Sequence, residues 1–137
     1  MINKSTLGAW GEYYAARLYS RQGYKILMKN SFNHTGKQIG EIDLIVLGKN
    51  QIIFVEVKTR VSSRFGLPEE SISNHKRQRL LKIVNWFLVK HKQYQNLQPR
   101  IDVCAILLSS AAKIPNNSDL DKFVKYAKII TNAVELN

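Results

Sequence analysis

The sequence has little cysteine and no long run of apolar residues. Cys104 is the only cysteine among 137 residues, which excludes an intrachain disulfide and any metal site built on a cysteine pair. The longest apolar stretch, at 103–108, is far too short to cross a bilayer, and no charged start followed by an apolar run indicates a signal peptide. We therefore expect a soluble, cytoplasmic protein with no membrane partner, in which Cys104 is a small buried core residue.

Acidic residues are also scarce. Lys and Arg number 21 against 10 Asp and Glu, which gives a formal net charge of +11. A surplus this large favours a polyanionic partner, and nucleic acid is a more frequent one than an anionic membrane face. A merely basic surface is the alternative, and the positions of the few acids bear on the choice.

The length suits a single domain over 1–137. Apolar residues at helical spacing predict a first helix at 7–21, ended by Gly23. Short β-rich runs predict strands at 24–28, 39–47 and 51–61, with Gly48-Lys49-Asn50 as the turn of a hairpin. A helix at 68–92, opened by a proline and two acids, and a strand at 100–108 follow. The prediction is an α/β fold of order α-β-β-β-α-β plus a short C-terminal element that the pattern does not assign.

Two carboxylates meet across the predicted hairpin. Side chains alternate along a strand, so Glu56 and Lys58 share one face. Asp43 lies 13 positions before Glu56, and antiparallel pairing would put the two side by side. Adjacent carboxylates in an apolar strand repel each other and lose solvation, and a divalent cation with oxygen ligands relieves both costs. The pattern predicts a Mg²⁺ or Mn²⁺ site held by Asp43, Glu56 and the backbone carbonyl of Val57.

Neighbouring residues could assist this site. Lys58 could orient or activate a metal-bound water and offset charge that develops on a phosphate. Glu12, at the flank of the first helix's buried stripe, could hold the metal through a water. From spacing alone, a glutamate on the solvated helix surface ranks before that role. For Asp43, Glu56 and Lys58 the alternative is a salt-bridge ladder on a solvated sheet face.

A set of basic residues follows the predicted site in sequence. Lys76, Arg79 and Lys82 recur at three-residue spacing, which predicts a helix face opposite the buried stripe. No acid lies between Glu70 and Asp102. We interpret the set as a surface that contacts nucleic-acid phosphates without reading bases, with a plain solvated face as the alternative. Its members are Arg60, Arg64, Lys76, Arg77, Arg79 and Lys82.

Several segments resemble the bacterial YraN-like family. The most specific are GEIDLI at 40–45 and FVEVKTR at 54–60. This family is similar to the restriction-endonuclease-like superfamily, which includes archaeal Holliday-junction resolvases. Ile42 replaces the proline that many superfamily members carry before the aspartate, and Ile101 replaces the family's usual phenylalanine. Supporting matches elsewhere are Gly8-x-x-Gly11-Glu12-x-x-Ala15, Phe65-Gly66-x-Pro68 with Lys76 downstream, Arg100-Ile101-Asp102 and Asn132-Ala133.

The resemblance implies a restriction-endonuclease-like mixed central β-sheet flanked by helices, with a D…ExK active site. The motif maps onto Asp43, Glu56 and Lys58, and a helical glutamate maps onto Glu12. The implied activity is metal-dependent cleavage of DNA, with branched or recombination intermediates as substrates and a homodimer as the assembly. The alternative is a catalytically inactive nucleic-acid-binding module that acts with a recombination, repair or DNA-uptake partner.

Overall fold

Two helices flank a five-stranded sheet in the computed structural model of the chain, which describes residues 4–29, 42–61, 66–70, 72–109 and 119–136. The helices are α1 (Lys4–Arg21) and α2 (Asn74–Lys90). The strands, which lie in the sheet in chain order, are β1 (Lys25–Lys29), β2 (Leu44–Leu47), β3 (Gln51–Arg60), β4 (Gln98–Leu108) and β5 (Val124–Val134). The predicted α/β class and the element order are confirmed. Among these residues, no helix has the length and apolarity needed to cross a membrane.

β2 and β3 form the predicted hairpin. They pair antiparallel with Leu44 opposite Val55, and the Gly48 amide donates to the Gln51 carbonyl at 2.9 Å to close the turn. β3 then pairs with β4 in parallel, an arrangement that requires a crossover, and α2 lies on that crossover. The other neighbouring strands are antiparallel. β3 is therefore the central strand of a mixed sheet.

Alternation along β3 divides the core into two layers. Val55 packs with Tyr19 and other residues of α1 on one face of the sheet. Phe54 packs on the opposite face with the buried stripe of α2, with its ring centroid 5.5 Å from that of Phe87. Glu56, two residues after Phe54, therefore lies on the α2 face.

α1 approaches β3 closely at Gly11. A Cβ atom at this position would lie 2.2 Å from Thr59 Oγ1 and 3.6 Å from Val57 Cγ1. Glycine is the residue that permits such an approach without moving β3. The close approach brings the next residue, Glu12, to the part of β3 that extends past the start of β2.

α2 begins later than the sequence predicted. Its N-cap is Ser73, whose hydroxyl oxygen accepts a backbone hydrogen bond at 3.2 Å. The two acids expected in its first turn have other partners. Glu69 forms an ion pair with Lys128 of β5 at 2.6 Å. The Glu70 carboxylate accepts a hydrogen bond from the Leu67 amide at 2.8 Å. These contacts outweigh the local preference for a helix start.

The C-terminal element is an 11-residue strand, β5, which is longer than the short element that was predicted. Its register against β4 shifts twice, and Asn132 has a positive φ of 52°. Both irregularities break the strict alternation by which a strand is recognised in a sequence.

A buried carboxylate ties β5, β4 and α1 together. Asp102 has no exposed surface. It accepts hydrogen bonds from the Tyr19 hydroxyl at 2.8 Å, from Arg100 Nε at 2.8 Å and from the Asn132 amide at 3.0 Å. Each oxygen is satisfied, as a buried charge requires. The motif residues Arg100 and Asp102 therefore have a structural role in fixing the sheet.

Candidate metal centre

Asp43 lies one residue before β2, beside the part of β3 that β2 does not cover. Because the register pairs Leu44 with Val55, the next residues outward are Asp43 and Glu56. Asp43 Oδ2 accepts a hydrogen bond from the Val57 amide at 2.8 Å. Burial, followed by the charge of Glu56, raises the pKa of Asp43 to about 8. The structure thus brings together the two carboxylates that the sequence placed across the hairpin.

Glu56 is 8% exposed and has a cationic partner from α2. Its Oε2 lies 2.8 Å from Lys76 Nζ, and Lys76 is itself half-buried. Lys58, two residues along the same face, instead directs its amine to the Glu70 carbonyl at 3.4 Å. Among the residues that the structure describes, no ion pair joins Asp43 to Lys58 and Glu56 is not on a solvated face. A cross-strand salt-bridge ladder is therefore not what these residues form.

The backbone of Val57 also faces this site. In an antiparallel ladder the amide and carbonyl of one residue point toward the same neighbour. The Val57 amide donates to Asp43, so we expect its carbonyl to point toward the same side of β3. That direction suits the ligand role predicted for the carbonyl.

Glu12 reaches the site from the other face of the sheet. It is half-buried, and its charge contributes to the raised pKa of Asp43, after burial and Glu56. Gly11 accounts for this placement, because it lets α1 contact β3 beside Val57. Glu12 is therefore partly shielded from solvent, and its role in holding a metal stays a prediction.

The donor set suits a hard divalent cation. Within the described ranges, no three or more His, Cys, Asp or Glu side chains are arranged to hold a metal ion by themselves. Asp43 and Glu56 are two carboxylates, which is a common protein contribution to a Mg²⁺ site that also takes waters and substrate phosphates. A cation between them would also offset the burial and the charge of Glu56, which together raise the pKa of Asp43. The oxygen donors thus fit Mg²⁺ or Mn²⁺.

The structure places Lys76 differently from the sequence interpretation. Lys76 was predicted on the outer face of the helix, yet its amine contacts Glu56. It lies four residues before Leu80 and so continues the buried stripe of α2, which comprises Leu80, Ile83, Val84 and Phe87. The helical spacing of 76, 80, 83 and 87 was a readable signal, and the three-residue spacing of the cations obscured it.

The other predicted basic residues are distributed more widely. Arg77 and Lys82 are exposed on α2, Arg79 is half-buried, and Arg60 is exposed at the end of β3. Lys82 also lines a cavity of about 420 Å³ beside Leu81, Leu88, Pro99 and Leu136. Arg64 lies outside the described residues.

Two cations that were not predicted lie near the ring of Tyr13. Lys29 pairs with Leu44, the residue after Asp43, and its Nζ lies 5.0 Å from the ring centroid of Tyr13. Tyr13 follows Glu12 and is 56% exposed. Arg17 Cζ lies 5.4 Å from the centroid of the same ring. This cluster joins α1 to β1, and no local spacing in the sequence signals such a contact.

Comparison with known proteins identifies the family. The model of the uncharacterised protein family UPF0102 matches residues 11–106, a range that includes Glu12, Asp43, Glu56 and Lys58. A UPF0102 protein of Caldanaerobacter subterraneus subsp. tengcongensis is 47% identical over 79% of this chain and 84% of its own length. Those of Syntrophomonas wolfei and Syntrophotalea carbinolica are 43% and 40% identical, each over 74% of this chain, with 84% and 78% of their own lengths covered. The chain therefore belongs to the uncharacterised protein family UPF0102, which is the YraN family that its motifs resemble.

Proposed function

We propose that the chain is a Mg²⁺- or Mn²⁺-dependent nuclease that hydrolyses phosphodiester bonds in DNA. The observation that carries the proposal is the meeting of Asp43 and Glu56 beside the uncovered part of β3, with Glu12 near enough to raise the pKa of Asp43. The net charge of +11 makes a phosphate-rich substrate the natural partner of such a site. The resemblance of these same residues to the D…ExK motif supports the proposal.

Each site residue has a role that follows from its position. A bound divalent cation would supply a water of lowered pKa and a positive charge on the phosphate. Asp43 and Glu56 would hold it, with the Val57 carbonyl as a further ligand and Glu12 acting through a water. The hydrogen bond of Lys58 to the Glu70 carbonyl is long at 3.4 Å, so its amine can exchange that bond for a phosphate oxygen or the attacking water.

Substrate selection in this proposal depends on nucleic-acid shape. The exposed cations Arg60, Arg77 and Lys82 would contact phosphates, and phosphate contacts fix orientation without reading sequence. The resemblance to Holliday-junction resolvases favours branched DNA and a homodimer. Sedimentation of the free protein and of its junction complex would test the dimer.

A cleavage panel tests the proposal. Labelled single-stranded, duplex, flapped and four-way-junction DNA, and RNA, are incubated with Mg²⁺, Mn²⁺ or EDTA. We expect metal-dependent cleavage that disappears in Asp43→Asn and Glu56→Gln, both of which still bind DNA. Glu135→Gln, which removes an exposed acid elsewhere in the chain, should cleave like wild type. Cleavage that persists in Glu56→Gln would mean that these carboxylates are not the active site.

A nucleic-acid-binding module without catalysis is the second candidate. The ion pair between Glu56 and Lys76 favours it, because the pair already neutralises one carboxylate without a metal. In that case the wild type would bind the labelled nucleic acids as tightly as Glu56→Gln does. It would cleave none of them with either Mg²⁺ or Mn²⁺.

A further inference from the structure

The contact between Lys76 and Glu56 occupies a ligand atom of the candidate metal centre. Lys76 Nζ lies 2.8 Å from Glu56 Oε2, and the Glu56 side chain is only 10% exposed. The lysine is also anchored at its base, because its amide donates to the Ser73 hydroxyl at the N-terminus of α2. Its stem continues the buried stripe of the helix. Lys76 therefore belongs to the metal-free site and differs from a cation on the outer face of the helix.

Lys76 compensates only part of the negative charge at this place. Asp43 and Glu56 follow the pair of Leu44 with Val55 outward along the hairpin, and Glu12 lies on α1 next to Gly11, where the helix approaches β3. Lys58, a cation on this face of β3, directs its amine to the Glu70 carbonyl instead. Three carboxylates and one ammonium leave room for a divalent cation, but the ammonium and the cation would repel each other on one oxygen.

We propose that Lys76 is the resident counter-ion of Glu56, that a divalent cation displaces it, and that the released ammonium binds a phosphate of the nucleic acid. This inference rests on the proposed metal site. It deepens that proposal by making metal and nucleic acid bind with positive coupling, since each ligand favours the state in which Lys76 has left Glu56.

The released amine would remain beside other positive charges at the start of α2. Lys76 lies in the first turn of α2, where the positive end of the helix dipole favours anions. Arg77 is exposed on the same turn, and Arg79, about one helical turn further along α2, is half-buried. A phosphate that bridges the metal and this turn would gain a lysine contact that the metal-free protein does not offer.

Metal titration by calorimetry gives the first test. Mn²⁺ is titrated at pH 8 into wild type, Lys76→Gln and the matched control Lys82→Gln, which removes an exposed lysine from the same helix. Removing the competing ammonium should lower the Kd of Lys76→Gln for Mn²⁺ about ten-fold. Lys82→Gln should stay within about two-fold of wild type.

Amine labelling of the wild type gives a second test that needs no variant. Acetic anhydride is applied with and without Mn²⁺, and acetylation of each lysine is measured by mass spectrometry. The acetylation rate of Lys76 should rise several-fold with Mn²⁺, while that of Lys82 should not change.

The outcomes separate the two proposals. Equal or weaker Mn²⁺ binding by Lys76→Gln, or a labelling rate of Lys76 that Mn²⁺ does not change, would overturn the counter-ion role and leave the nuclease standing. Absence of Mn²⁺ binding in both proteins would overturn both. Tighter binding by Lys76→Gln in a protein that cleaves nothing would support the counter-ion role and refute the nuclease.

Discussion

Replacing Asp43 by Asn should stabilise the metal-free protein at alkaline pH. Burial and the charge of Glu56 raise the pKa of Asp43 from 3.8 to about 8. A difference of about four pH units is worth at most about 6 kcal/mol, at about 1.36 kcal/mol per unit. Water screens part of this energy at a half-buried carboxylate, so we expect about 2 kcal/mol. The asparagine amide oxygen can still accept the hydrogen bond that Asp43 receives from the Val57 amide at 2.8 Å.

The sign of the pH dependence follows from linkage. The pKa of Asp43 is higher in the folded state, so its contribution to stability is complete below about pH 4 and is lost as the pH rises through about 8. The variant has no such group to titrate. Its free energy of unfolding should match that of wild type near pH 4 and exceed it by about 2 kcal/mol at pH 9.

Urea unfolding in EDTA between pH 4 and 9, followed by circular dichroism, measures this difference. Asp121→Asn is the control with the opposite sign. Asp121 loses solvation by burial, but hydrogen bonds from Trp10 at 2.8 Å and Arg17 at 2.6 Å keep its pKa low, so its replacement should destabilise the protein above pH 4. If Asp43→Asn is less stable than wild type at pH 9, the ionised Asp43 stabilises the fold, and the expected cost of burying its charge beside Glu56 is refuted.

Three further experiments test the framework around the site. Asp102→Ala should cost about 3–5 kcal/mol in urea unfolding, because it removes the buried partner of Arg100 and also leaves the Tyr19 hydroxyl and the Asn132 amide without their acceptor. Gly11→Ala should cost about 1–3 kcal/mol and weaken Mn²⁺ binding, because its Cβ would meet Thr59 Oγ1 at 2.2 Å; Gly8→Ala, with open space around the Cβ, should be neutral or stabilising. Burial raises the pKa of Cys104 to about 12, so the native thiol should react with thiol reagents at pH 8 only as fast as the protein unfolds, and faster labelling would contradict its place in the core.

The geometry of the hairpin could be predicted because all its determinants are local. The turn at Gly48 sets the register, and alternation then fixes which residues share a face. With the register known, Asp43 must stand beside Glu56, and Phe54 must lie on the same side of the sheet as Glu56. The buried position of Cys104 followed in the same way from an apolar run.

The start of α2 and the nature of β5 could not be predicted, because distant partners decide both. Glu69 reads locally as a first-turn acid of a helix, but Lys128 and Tyr126 of β5 bind its carboxylate. Conversely, the register of β5 against β4 is irregular, and Asn132 has a positive φ. The Asn132 amide donates a hydrogen bond to the distant Asp102 carboxylate. Tertiary contacts of this kind override local propensity in both directions.

Lys76 shows how a pattern of charge can conceal a pattern of burial. A lysine among other cations on a helix reads as part of a solvated face, and that reading ignores its spacing from Leu80. The deciding fact is the depth of Glu56, which a sequence does not state. A carboxylate that is 8% exposed needs a cation, and α2 supplies one at 2.8 Å. If that cation is later exchanged for a metal, the same lysine serves stability in the free protein and phosphate binding in the complex. A local pattern cannot separate those two uses.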